Sequence, residues 1–68
     1  MSTTEIMTKV RKVVKKSGLT YEQVGLRMNY PKQSARQSVS QFMRSTQPTI
    51  GMLIRFCKAM GVDVKELL

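Results

Sequence analysis

The chain has 68 residues and 41% hydrophobic content, and 12 Lys and Arg against 4 Asp and Glu give it a net charge of +8. This length predicts one domain over residues 1–68 that buries about 60% of its unfolded surface, and the charge favours a polyanionic partner, nucleic acid before anionic membrane. A single cysteine excludes an internal disulfide. Without histidine and with only four carboxylates, a metal site is very hard to assemble and no histidine base can activate a nucleophile. We therefore expect no enzyme activity, metal or cofactor.

The sequence contains no apolar run of about 18 residues and no signal-peptide core near its start. Such a run is needed to span a bilayer, and a signal peptide is needed for secretion. We therefore expect a cytoplasmic protein that does not associate with membranes.

The first predicted helix runs from about Thr4 to Lys16 and has an apolar and a basic face. The apolar residues recur at helical spacing and are Ile6, Val10, Val13 and Val14. The basic face is either simply solvated, which is the favoured interpretation, or directed at phosphates. A helix lying on a membrane is disfavoured because aromatic anchors are missing. Gly18 is expected to end the helix.

The second predicted helix starts at a capping box. Thr20 is followed three residues later by Gln23, which is the pattern in which two side chains bind each other's backbone N–H groups. Leu19 and Val24 can form the accompanying hydrophobic staple. Gly25 costs a helix about 1 kcal/mol relative to Ala, so its presence predicts a closely crossing helix.

The third helix follows a break at Asn29 and Pro31. Its start is open: Pro31 could occupy the first turn, or Ser34 could be an N-cap with Gln37 completing a second capping box. Two apolar anchors, Val39 and Phe42, point one way. The polar residues on the other sides are Arg36, Gln37, Ser40, Gln41 and Arg44. These types read base edges and hold phosphates, which predicts a recognition helix.

The fourth helix is expected to begin at Thr49 and to end at Gly61. Its predicted core residues are Ile50, Leu53, Ile54, Cys57 and Met60. A capping box at Asp63 opens a final short turn that ends at Leu67 and Leu68. Apolar residues beside the main stripe and near the end could form a dimer interface or close the core. These residues are Met52, Phe56, Val64, Leu67 and Leu68.

Four segments resemble the lambda-repressor-like helix-turn-helix family, also called the XRE family. They lie at residues 18–24, 39–45, 48–50 and 58–68, and the resemblance extends over residues 10–68. The last segment is the most specific one. The resemblance implies a compact all-α domain of five helices, in which the second and third form the helix-turn-helix and the third enters the major groove.

The resemblance also implies roles for individual residues. Base contacts are implied for Arg36, Gln37 and Gln41, with Ser40 at the edge of this set. Phosphate contacts are implied at the start of the second helix and in the loop after the third, and the residues concerned are Thr20, Tyr21, Gln23, Arg44, Ser45 and Thr46. We add Lys32, near the start of the third helix, as a further predicted phosphate contact.

The sequence departs from the family in two places. Where the family often has a buried Arg and Glu, this chain has Val14 and Met43; an apolar replacement of both partners is often neutral or stabilising, and we predict that the two side chains touch. The interval from Gly25 to Val39 is about four residues longer than usual, which is roughly one helical turn. Either the connection is a longer loop, or the third helix gains a turn at its N-terminal end.

These observations predict a sequence-specific transcription regulator of bacterial or phage origin. We expect a repressor that acts as a homodimer on a palindromic double-stranded DNA operator. The alternative is an antitoxin or another protein-interaction module that has the same fold.

Overall fold

The computed structural model describes residues 3–68, and of Thr3 only the backbone. This part of the chain contains four α-helices followed by one 3-10 turn. They are α1 (Thr3–Ser17), α2 (Tyr21–Arg27), α3 (Lys32–Arg44), α4 (Ile50–Met60) and the turn Val64–Glu66. The all-α prediction is confirmed. The single-domain prediction includes residues 1 and 2, which lie outside the described part.

The five helices that the resemblance implies are not confirmed, because the described residues form four α-helices and the last element is a 3-10 turn, in keeping with the final short turn predicted at Asp63. The Lys65 backbone N–H donates to the Asp63 carboxylate at 3.0 Å, and the Glu66 N–H donates to the Asp63 carbonyl at 2.9 Å. The bond to the carboxylate is a side-chain cap, and the backbone bonds of Glu66 and Leu67 reach three residues back, to Asp63 and Val64, whereas an α-helix needs bonds to the fourth. Leu67 then turns into the core, which closes the segment after three residues.

Helix α1 packs through a slightly different face from the one predicted. Val10 and Val14 are buried as expected, whereas Ile6 and Val13 are only half-buried. The prediction omitted Met7, which is fully buried. Met7 lies three residues before Val10 and seven before Val14, so it shares their face of the helix.

The start of α2 and its close packing on α3 were both predicted correctly. The Gln23 backbone N–H donates to the Thr20 hydroxyl at 3.1 Å, and the Thr20 N–H donates to the Gln23 side-chain oxygen at 2.9 Å. A Cβ atom placed on Gly25 would lie 2.5 Å from the Ala35 carbonyl oxygen and 2.7 Å from the Ala35 Cβ. Only glycine allows the two helices of the motif to come this close.

The connection between α2 and α3 is a short turn, so the first of the two predicted alternatives, a longer loop, is wrong. It comprises residues 28–31, and the Tyr30 N–H donates to the Gly25 carbonyl at 3.0 Å. Asn29, part of the predicted break, has a φ of 68°, a left-handed conformation that asparagine tolerates better than most residues. The additional residues therefore lie in α3 itself, which was the second of the two alternatives.

Helix α3 starts at neither of the two predicted positions. Pro31 is the residue before the helix and forms no side-chain cap. Ser34 lies within the first turn, where its N–H donates to the Pro31 carbonyl at 3.0 Å, so the capping box with Gln37 does not form. A proline fits this place because its fixed φ suits a helix start and the N–H it lacks has no partner there.

Helix α4 is rotated relative to the predicted core face. Leu53 and Cys57 are buried as predicted, but Ile50 is 63% exposed and Ile54 is 41% exposed. Phe56 is instead fully buried, with its ring centroid 5.7 Å from that of Phe42. The larger aromatic side chain fills the centre of the domain, and this choice turns the two isoleucines outward.

The core also bears on the residues suggested for a dimer. Phe56 and Leu67 are fully buried within one chain, so they close the core and have no surface left for a second copy. Val14 and Met43 are buried in the same hydrophobic cluster and line one surface groove between α1 and α3. This placement supports the predicted contact between them.

Candidate nucleic-acid interface

Helix α3 has an apolar face and a polar face that run along its whole length. The buried residues are Ala35, Val39, Phe42 and Met43. The exposed residues are Lys32, Gln33, Arg36, Gln37, Gln41 and Arg44, with Ser40 half-buried beside them. All four predicted base-contact residues are thus on the exposed side, and the apolar residues hold this side outward.

Three glutamines form a row in the middle of the polar face. Gln33, Gln37 and Gln41 are each four residues apart, so they lie above one another on the helix. Each step rises about 6 Å along the axis, which is close to two base-pair steps of about 3.4 Å. The sequence prediction omitted Gln33 because the start of the helix was open. Its interval of four residues from Gln37 was the available signal.

Arg36 lies at the margin of this face and close to α2. It lines a shallow groove with Thr20, Tyr21 and Glu22 at the start of that helix. The structure thus brings a residue predicted to contact bases next to residues predicted to contact phosphates. A guanidinium in this position can reach phosphate as readily as a base edge.

The start of α2 retains some of its side-chain groups for a ligand. The Thr20 hydroxyl oxygen and the Gln23 side-chain oxygen both accept bonds in the capping box. The Gln23 amide nitrogen is not used in that pair of bonds, and the Tyr21 side chain is 40% exposed. Both are hydrogen-bond donors of the kind that contact DNA phosphates.

The segment after α3 is held by two local hydrogen bonds. The Ser45 N–H donates to the Phe42 carbonyl at 3.1 Å, and the Ser45 hydroxyl accepts a bond from the Gln47 N–H at 3.3 Å. Thr46 is exposed between them. The predicted phosphate contacts Ser45 and Thr46 therefore lie directly beyond the exposed Arg44, at the same end of the polar face.

Two arginines from outside the helix-turn-helix bind backbone carbonyls at the C-terminal ends of its two helices. Arg11 donates from Nε and Nη2 to the Met43 carbonyl at 3.1 and 2.9 Å. Arg55 donates from Nε to the Met28 carbonyl at 2.7 Å, and its Cζ lies 4.8 Å from the centre of the Tyr30 ring. Sequence reasoning missed both contacts. No local signal in the sequence marks them, because the acceptors are backbone carbonyls, which every residue has.

The chemistry of the remaining groups is plain. Burial raises the pKa of the Cys57 thiol, and the carboxylates of Asp63 and Glu66 raise it further. The thiol is therefore protonated at neutral pH and a poor nucleophile. Within residues 3–68, no three His, Cys, Asp or Glu side chains come together as metal ligands, and no helix is both long and apolar enough to cross a bilayer.

The comparison with protein families agrees with this geometry. The family described as Helix-turn-helix matches residues 10–67. The chain belongs to this family of XRE-type, lambda-repressor-like domains, whose members are DNA-binding regulators. Comparisons with curated proteins and with solved structures each gave no significant match.

Proposed function

We propose that this protein is a sequence-specific transcription regulator, a repressor, that reads the major groove of double-stranded DNA with α3. The observation that carries the proposal is the polar face of α3, which extends without an exposed apolar residue from Lys32 to Arg44. Family membership supports DNA binding, and the charge of +8 favours a polyanion. Its site of action is cytoplasmic DNA in a bacterium or in a phage-infected cell.

The glutamine row and Ser40 read base edges in this proposal. A glutamine side chain matches adenine, to which it can donate and accept one hydrogen bond each in the major groove. Gln37 and Gln41 are therefore expected to select adenines, and Gln33 extends the row by one turn. Arg36 either reads a guanine or holds a phosphate beside α2.

The phosphate contacts lie around the row. They comprise the start of α2, the start of α3 and the segment from its end, and the residues are Thr20, Tyr21, Gln23, Lys32, Arg44, Ser45 and Thr46. Each phosphate that a cation neutralises contributes about −0.9 to the slope of log K against log salt concentration. The basic surplus captures DNA of any sequence, and the glutamines then discriminate.

A homodimer on a palindromic operator completes the proposal. Of the predicted interface, Met52 and Val64 are half-buried and Leu68 is 50% exposed, so these three retain surface for a second copy. A two-fold dimer would place its half-sites about 34–36 Å apart. Sedimentation with and without operator DNA tests this part, and a monomer in both conditions would contradict it.

Selection of bound sequences from a random duplex pool tests the function. The wild type is expected to enrich a palindromic consensus that contains adenines. Gln37→Ala should relax the consensus at one position in each half-site. Gln47→Ala is the matched control, since Gln47 is exposed outside α3, and it should leave the consensus unchanged. Recovery of the unselected pool by the wild type would refute the proposal.

An antitoxin or other protein-interaction module is the second candidate. The outward-facing Ile50 and Ile54 on α4 favour it, because they form a small exposed apolar surface. The variant with both isoleucines changed to Lys separates the two candidates. If this variant no longer binds a co-expressed partner protein but still binds duplex DNA, the interaction module is favoured. If it retains both kinds of binding, the regulator alone is favoured.

A further inference from the structure

Arg11 makes a two-point contact with the end of α3. Its Nε and Nη2 both donate to the Met43 carbonyl, at 3.1 and 2.9 Å. The last four carbonyls of a helix have no partner within the helix, and the dipole gives that end a partial negative charge. A planar guanidinium fixes both the position and the direction of such a carbonyl.

Arg55 makes a comparable contact with the end of α2. Its Nε donates to the carbonyl of Met28, the residue that caps α2, at 2.7 Å. The guanidinium carbon lies 4.8 Å from the centre of the Tyr30 ring in the turn. The Tyr30 hydroxyl in turn donates to the Met52 sulfur at 3.4 Å. The turn of the motif is thus attached to α4 at two points.

We propose that Arg11 and Arg55 are positioning residues that set the orientation of α3 towards DNA. Each extends from a helix outside the motif to the C-terminal end of one helix within it. Both side chains bind the protein's own backbone, so we expect them to influence DNA binding mainly by fixing the position of α3. This inference rests on the proposed function for its consequence in DNA binding.

The apolar contact between α1 and α3 explains why such a link is useful. Val14 and Met43 are both apolar and buried in one hydrophobic cluster, and apolar packing is non-directional, so it does not by itself fix the direction of the last turn of α3. The Arg11 bonds to the Met43 carbonyl are directional. Gln41 lies two residues before Met43, so a shift of the last turn of α3 moves this glutamine relative to the base edges.

Hydrogen exchange without DNA tests the positioning itself. Arg11→Met keeps the aliphatic stem and removes both donors. We expect amides in the last turn of α3, residues 41–44, to exchange about tenfold faster, as befits the loss of a charge-assisted hydrogen bond. Lys12→Met is the matched control, because Lys12 is exposed on the same helix. Equal exchange in the two variants would overturn the role of Arg11.

Arg11→Lys tests the consequence for DNA, because it keeps the charge and loses the planar pair of donors. Affinity is measured for the duplex that the wild type enriches most and for a random duplex. We expect the ratio of the two to fall several-fold while the salt slope stays unchanged, since no phosphate contact is lost. Equal weakening on both duplexes, or no change in the ratio, would overturn the proposal.

Arg55→Lys extends the test to the other contact. It should lower the same affinity ratio and speed exchange of the Tyr30 amide, whose acceptor is the Gly25 carbonyl. Lys58→Met, on the exposed side of α4, serves as its control. If the wild type enriches no duplex sequence, the proposed function fails, whereas the exchange results still decide whether the arginines hold the motif.

Discussion

Helices α3 and α4 are both amphipathic, but their outward faces differ in kind. The outward face of α3 is entirely polar, whereas that of α4 carries Ile50 and Ile54. Polar residues on α3 leave one direction in which the helix can be buried. On α4, apolar residues surround most of the axis, so several stripes satisfy the same period and packing decides between them.

The two outward faces differ in what their residue types indicate. A face of glutamines and arginines contributes little to packing, so these residues serve another purpose, such as binding or solubility. An isoleucine on an outward face can be ordinary, because much of any protein surface is apolar. The polar face of α3 therefore indicates a binding function, whereas the two exposed isoleucines of α4 are also compatible with an ordinary protein surface.

The largest expected effect concerns the buried side of α4. Phe56→Ala should lower the free energy of unfolding by about 3–5 kcal/mol, because it empties the centre of the core. Ile54→Ala, two residues earlier, should cost clearly less, about 1 kcal/mol, because 41% of the residue is already exposed to water. Urea denaturation measures both. Similar losses in the two variants would mean that α4 is rotated from the position described.

The crossing of α2 and α3 gives the next largest effect. Gly25→Ala should destabilise the fold by about 1–3 kcal/mol, because the new Cβ would lie 2.5 Å from the Ala35 carbonyl oxygen. Gly51→Ala on α4 is the control: a Cβ there meets nothing within 4 Å, and its higher helix propensity should stabilise by up to about 1 kcal/mol. A stabilising Gly25→Ala would rule out the close crossing.

The end of the polar face gives a smaller effect, seen in DNA binding. Arg44→Ala should weaken binding to specific and random duplexes equally, and it should reduce the magnitude of the salt slope by about 0.9 if one phosphate contact is lost. Titrations at several salt concentrations measure the slope. If binding weakens only for the specific duplex, Arg44 contacts bases and not phosphates.

The smallest expected effect depends on pH. The folded state raises the pKa of Cys57 through burial and through Asp63 and Glu66. This contribution to stability is therefore fully present below the ordinary thiol pKa of about 8.5 and is lost as the pH rises through the raised value. Unfolding of the wild type and of Cys57→Val between pH 7 and 10 measures it. The free energy of unfolding of the wild type should fall relative to that of Cys57→Val as the pH rises above about 8.5, and a difference that stays constant over this range would contradict the shift.

The parts predicted from the sequence are those with local causes. The capping box at Thr20, the helix break at Asn29 and the close approach at Gly25 each follow from the chemistry of one or two residues. The start of α3 was not predicted, because Pro31 and Ser34 are both acceptable near a helix start.

The parts that sequence reasoning missed depend on tertiary packing. The rotation of α4 follows from the fit of Phe56 against Phe42, which no local pattern contains. The bonds of Arg11 and Arg55 join residues 32 and 27 positions apart. Their acceptors are backbone carbonyls, which every residue has, so nothing in the sequence marks Met43 or Met28 as the partner.

The affinity of Gln41→Ala for specific and random duplexes tests the central claim most directly. If the polar face of α3 reads bases, binding to the selected duplex should weaken by about 1–3 kcal/mol. Binding to the random duplex and the salt slope should both stay as in the wild type. Equal weakening on the two duplexes would contradict the claim and leave Gln41 as a contributor to capture without a part in recognition.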